Sequence, residues 1–153
     1  MKYLKTHAEG HFELLTGIRV WSEPITAVLV MSAHGVPDRI AEETFGDISD
    51  NECPFADYSR RLLENKSADI DAATGDTVLT HDAVLFTADN AGGTGTISGR
   101  YVYYVFGLPA TLTAASRILG HYDLTGAGDA GSVDAVFRIK NARLRLKLSE
   151  AAS

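Results

Sequence analysis

Beyond Gly75 the chain is almost entirely strand signature punctuated by glycine-rich turns, and no other feature limits its possible folds as much. Residues 77–88 have strand composition and run into the turn cluster Asp89-Asn90-Ala91-Gly92-Gly93-Thr94-Gly95. Residues 96–106 are a second predicted strand, ended by Gly107-Leu108-Pro109. Residues 111–124 are a third, with Leu112, Ala114, Ile118, Tyr122 and Leu124 on one face. After a turn at 125–131, residues 132–140 alternate cleanly, with Val133, Ala135, Phe137 and Ile139 inward. The apolar set then moves to Leu144, Leu146 and Leu148, so a bulge or turn is expected near Asn141-Ala142. Long strands joined by such turns predict an antiparallel sheet. On the second strand Tyr101, Tyr103 and Val105 occupy one face and Val102, Tyr104 and Phe106 the other. Both faces need cover: a closed barrel supplies one side, a helix or second subunit the other.

The first half reads less regularly. Residues 11–20 place Phe12, Leu14, Ile18 and Val20 at period two, which predicts a strand ended by Glu23-Pro24. Residues 25–31 are apolar on both faces and read as a central strand. Residues 35–76 read as an insertion. Within it, 37–43 suit a short helix or a lid. Residues 54–66 suit a helix, with Pro54 at its first position, Asp57 in the first turn, and Phe55, Tyr58 and Leu62 on an apolar side. The expected fold is therefore mainly β: one antiparallel domain over residues 1–153, closed into a small barrel with one or two short helices. An α+β cone of the SnoaL kind is the competing arrangement.

At 153 residues, 45% hydrophobic and 22% charged, the chain has the composition of a globular domain. Its net charge of −6 argues against nucleic acid or an anionic membrane as partner. A single cysteine permits no intramolecular disulfide. The opening residues lack an apolar signal region and no stretch reaches the length of a membrane span, so a cytoplasmic location is expected.

Motif matches mostly fail on context. Gly126 to Gly131 spells G-x-G-x-x-G, but a strand rather than a helix follows, so it reads as a hairpin turn. Asp69 and Asp71 lack the closing Glu of a calcium loop. His7, His11, His34, His81 and His121 show no metal-ligand spacing, and Cys53 has no identifiable partner base. Neither a metal nor a cofactor is expected.

One constraint survives. His81 and Asp82 are adjacent in a predicted strand, so they point to opposite faces and one of them goes inside. A buried ionisable group must be paired or have a shifted pKa, and such groups do acid–base work in apolar pockets. His81 and Asp82 are the candidate catalytic residues; the structural reading is a hydrogen-bonded His81, or Asp82 paired with Arg100. Arg117, His121 and Asp123 share the more polar face of their predicted strand, which is expected to be a solvated stripe. Were it a lumen, Arg117 and His121 would hold an oxyanion or enolate. Tyr101 and Tyr103 complete the candidate ligand-binding set by offering hydroxyl groups to a pocket.

The strand and turn texture over residues 77–148, with Gly92-Gly93-Thr94-Gly95 as its literal match, resembles the small barrels of allene oxide cyclases, dirigent proteins and spirotetronate cyclases. That resemblance implies a homo-oligomer, dimer or trimer. It also implies an isomerase or cyclase of secondary metabolism that folds a small apolar or polyketide-like molecule toward ring closure. Such catalysis rests on proximity and exclusion of water. The alternative is a non-catalytic barrel that binds a small molecule or serves as a structural subunit.

Overall fold

Residues 25–30 and 101–106 are buried at every position, and the fold is organised around their pairing. The computed structural model describes residues 4–55, 58–86, 97–124, 132–133, 137–139 and 143–146. In chain order the elements are β1 (Lys5–Thr6), α1 (Ala8–Thr16), β2 (Ile25–Val30), β3 (Arg61–Leu62), β4 (Ser67–Ile70), β5 (Thr77–Thr80), β6 (Val84–Phe86), β7 (Ile97–Ser98), β8 (Tyr101–Phe106), β9 (Ile118–Asp123), β10 (Ser132–Val133), β11 (Phe137–Ile139) and β12 (Arg143–Leu146). Short 3₁₀ turns at Ser32–His34, Phe45–Asp47, Ser49–Asn51 and Pro109–Thr111 complete them.

All pairings are antiparallel. One sheet runs β1-β9-β8-β2-β3, and separate ladders join β12-β5-β4, β11-β6 and β10-β7. A mainly β antiparallel fold with one α-helix among the described residues is thus what the strand pattern required. The central strands are covered on both faces, as their two-sided apolar pattern demands. Ile25, Ala27, Leu29, Val102, Tyr104 and Phe106 pack into one cluster with Leu63, Leu79, Val84 and Phe86. Val28, Val30, Tyr101, Tyr103 and Val105 pack into a second with Phe45, Ile48 and Ile118. Each fully buried large aliphatic contributes about 1.5–3 kcal/mol relative to exposure, so both faces stabilise the sheet.

The segment from Met31 to Cys53 forms the second cover. It is tied to β2 by Met31 N–H to Asn51 O and Cys53 N–H to Leu29 O, and to the approach of β9 by Phe45 N–H to Ser116 O and Ile118 N–H to Glu43 O. Thr44 and Asp47 form a capping box that starts its central turn. Residues 37–43, a predicted short helix or lid, are a turn in which Asp38 Oδ1 accepts from Ile40 and Ala41 N–H. Among the described residues no helix is long and apolar enough to cross a membrane.

Several predicted elements differ. Residues 11–20 are not a strand: α1 covers Ala8–Thr16 and ends at Gly17, whose φ of 77° is the left-handed cap that glycine tolerates. Its period-two apolar residues do not form a sheet face; Phe12 is 56% and Ile18 64% exposed. The described residues of 54–66 do not form a helix. Glu52 takes Arg60 in a two-bonded fork and accepts from the Tyr58 hydroxyl, while Leu62 pairs with Thr26 of β2. These bonds, with the pairing of Leu62 to distant β2, override local helix preference. The third predicted strand starts only at Ile118.

The strand expected over 77–88 breaks at residues 81–83. The ladders on either side keep one residue offset, so three residues intervene there and three between Ile139 and Arg143. Across the break the buried set moves from Leu79 to Val84 and Phe86, odd to even. The register change expected at Asn141-Ala142 itself, the turns at 89–95 and 125–131, and Leu148 lie outside the described residues.

Candidate acid–base site

A bulge in β9 creates the site. Tyr104 pairs with Gly120 but Val105 pairs with Ile118, so Leu119 is an extra residue and the alternation of faces reverses there. Ile118 packs in the second cluster, whereas Leu119 and Tyr122 pack in the first. The expectation that Ile118, Tyr122 and Leu124 share a face is corrected accordingly. The reversal turns His121 toward Tyr103, with ring centroids 5.5 Å apart. His121 is 3% exposed, so its face is not the solvated stripe expected from the alternation.

Two glycines bring a second histidine to it. A Cβ on Gly120 would lie 2.6 Å from Lys5 O, and one on Gly10 would lie 2.2 Å from Ile118 O. Their bare backbones let β1 and α1 lie directly against β9. His7, between β1 and α1, donates its backbone N–H to Leu119 O and is fully buried. It is the N-cap of α1 but makes no side-chain cap. Its ring bridges instead: Nδ1 lies 2.8 Å from the backbone oxygen of Glu42, and Nε2 lies 2.9 Å from His121 Nδ1.

These contacts dictate the proton positions. A carbonyl oxygen only accepts, so His7 Nδ1 carries the proton. Burial pushes the pKa of His7 below the usual histidine value, and its neutral ring therefore presents a lone pair at Nε2. His121 must then donate from Nδ1, which leaves its own Nε2 unprotonated. Burial first, then the neighbouring His7, Lys5 and Arg39, push the pKa of His121 strongly down. Among the described residues nothing is seen to hydrogen-bond His121 Nε2, and His121 lines an open cleft. The result is a directed relay, from the lone pair of His121 through His7 to the Glu42 carbonyl.

Glu42 also organises the other side. Its Oε2 accepts from the Tyr103 hydroxyl at 2.8 Å, and its Oε1 lies 2.7 Å from His34 Nε2. Burial first, then the Glu42 carboxylate, raises the pKa of Tyr103 far above the usual phenol value. Tyr103 is therefore a fixed hydroxyl donor. His121 opens on a cleft of about 130 Å³ that it lines with Lys5, Arg39, Arg100, Tyr101 and Asp123.

The structure places the remaining candidates elsewhere. His81 lies in the break between β5 and β6, 7% exposed, with Asp82 exposed beside it. His81 Nδ1 faces the Asp82 carbonyl and Nε2 accepts from the Tyr104 hydroxyl at 2.7 Å. Tyr104 is bonded in turn to Tyr122, which meets the Leu4 backbone. Each polar atom of this chain has a partner in the first cluster, and burial lowers the pKa of His81. Asp82 accepts from Asn65, and Arg100 pairs with Asp123. Arg117 bonds Glu13 and Glu43, away from His121. Tyr101, Tyr103 and His121 are thus brought together, while His81, Asp82 and Arg117 lie apart from them. His7, His34 and Glu42 join the site unannounced by any local motif; Gly120, isolated in a strand pattern, was the available sign of the bulge. Among the described residues no group of three or more His, Cys, Asp or Glu side chains is arranged to hold a metal ion.

No protein-family model matches this chain, and no curated protein or solved structure matches it significantly.

Proposed function

We propose that this protein is an acid–base enzyme of the isomerase or cyclase class, acting on a small molecule, with His121 as its base. The directed pair His7–His121 carries this reading, because it leaves one unprotonated nitrogen at the wall of a cleft. In the proposed step a C–H bond beside a carbonyl breaks. Its proton goes to His121 Nε2, and the electron pair remains as an enolate. The imidazolium charge is shared with His7 through the Nδ1–H bond. Return of the proton to another carbon gives an isomer; attack of the enolate carbon on an electrophile within the molecule closes a ring.

The strands are proposed to close into a small barrel. The ladders β8-β2-β3 and β4-β5, with β12 and β11 leading to β10-β7, support this. Residues 63–66 join β3 to β4, and Gly99-Arg100 joins β7 to β8. Leu63 N–H meets Ile25 O, and Asp82 N–H meets Glu64 O, which bridges the two groups. The same reading takes the chain as one cytoplasmic domain working as a dimer or trimer, with Phe12 and Leu15 of α1, 56% and 63% exposed, as apolar contact.

A non-catalytic subunit is the second reading. The filled first cluster, in which His81 has its hydrogen bonds met, favours it. Solvent deuterium exchange separates the two. The purified protein is incubated in D₂O with a panel of small ketones and 1,3-dicarbonyls. Exchange that His121→Gln slows by about 100-fold or more supports the enzyme. Absent exchange, or exchange unchanged in the variant, refutes it.

A further inference from the structure

We propose that the cleft beside His121 binds a small 2-hydroxycarboxylate, its carboxylate on Lys5 and Arg39 and its hydroxyl donating to His121 Nε2. The inference rests on the proposed site and names the ligand it would take.

The charge of the cleft points to an anion. Among the described residues, Lys5, Arg39 and Arg100 face a single carboxylate there, Asp123, in a chain whose net charge is −6. Arg100 is the cation committed to Asp123, with nitrogen to oxygen distances of 3.3 and 3.4 Å. That leaves Lys5 and Arg39 without a carboxylate partner among the described residues of the cleft. Arg39 is also pre-oriented: its Nε donates to Thr6 O at 2.6 Å, which holds the plane of the guanidinium. Among the described residues no acceptor occupies its terminal nitrogens, which form the fork that suits a carboxylate.

The second polar feature has the opposite demand. His121 Nε2 is an acceptor, so a bare anion placed against it gains nothing. A hydroxyl next to the carboxylate resolves both demands at once. The cleft, about 130 Å³, has room for roughly four water-sized groups and so suits a small acid. Negative charge beside Lys5 and Arg39 also offsets two of the influences that depress the pKa of His121, which makes it a stronger base when the cleft is occupied.

The test is a titration of the full chain with glycolate, acetate and glycolamide, followed by the ring resonances of His121 in nuclear magnetic resonance spectra. Saturable shifts with glycolate are expected. Acetate should bind about fivefold more weakly, the equivalent of one net hydrogen bond. Glycolamide should not bind measurably. Arg39→Gln, an exposed position, should weaken glycolate by about tenfold while leaving the spectrum otherwise folded. Equal binding of acetate and glycolate, or glycolate binding unchanged in Arg39→Gln, overturns the proposal. So does the absence of saturable binding. Deuterium exchange with neutral ketones would still stand in those cases, so a failure here is distinct from a failure of the acid–base reading.

Discussion

Lowering the pH from 7.5 to 5.5 is expected to remove at least about 1.4 kcal/mol of folding stability through His121, with further losses through His7 and His81. Three buried histidines supply it. Burial depresses the pKa values of His7, His81 and His121 below the ordinary 6.5. Well above 6.5 all three are almost wholly neutral in both states, and the native state bears no penalty. As the pH falls below 6.5 the unfolded chain gains protons that the native chain refuses, so stability falls toward the depressed native values. An unfolded histidine of ordinary pKa passes from about one-tenth to about nine-tenths protonated over this interval, which is worth about 1.4 kcal/mol for a native ring that stays neutral throughout, as His121, pushed down to about 3, does. Asp38 and Asp47 also have lowered pKa values, but carboxylates of that kind act below this window. Urea unfolding at fixed pH values, read by the fluorescence of Trp21, the only tryptophan, measures the change. His81→Asn should make the slope shallower. A flat profile, or a rise in stability toward pH 5.5, would show that the histidines are not buried as neutral rings.

Two substitutions probe the packing that builds the site. Gly10→Ala should destabilise by roughly 1–3 kcal/mol in urea unfolding, because its Cβ would meet Ile118 O at 2.2 Å; helix propensity alone calls for the opposite sign. Tyr104→Phe should cost about 1–3 kcal/mol by the same assay, since it strands His81 Nε2 in the core.

The strand half of the fold was legible because burial on both faces leaves a plain mark. Ile25 to Val30 and Tyr101 to Phe106 are apolar at nearly every position, and both are central strands. The first half misled for a physical reason. The alternation of Phe12, Leu14, Ile18 and Val20 predicts a strand, yet β1 already occupies the edge of β9, and Gly10 allows a helix to lie on the bare backbone beyond it. The site was half legible. Tyr103 and His121 were among the candidates, but their partners His7, His34 and Glu42 arrive through long-range contacts that leave no local spacing. The bulge at Leu119 reversed the face on which His121 sits, and with it the reading of that face as solvated. Arg117 shared the sequence parity of His121 and was separated from it by the same bulge.

The orientation of the histidine relay is the claim on which the acid–base reading depends. Long-range proton–nitrogen correlation spectra of the histidine rings at pH 7.5 measure it directly. His7 and His121 should both be neutral and protonated at Nδ1, with His121 Nε2 showing the shift of an unprotonated nitrogen. A proton on His121 Nε2, or a charged ring at either position, would contradict it.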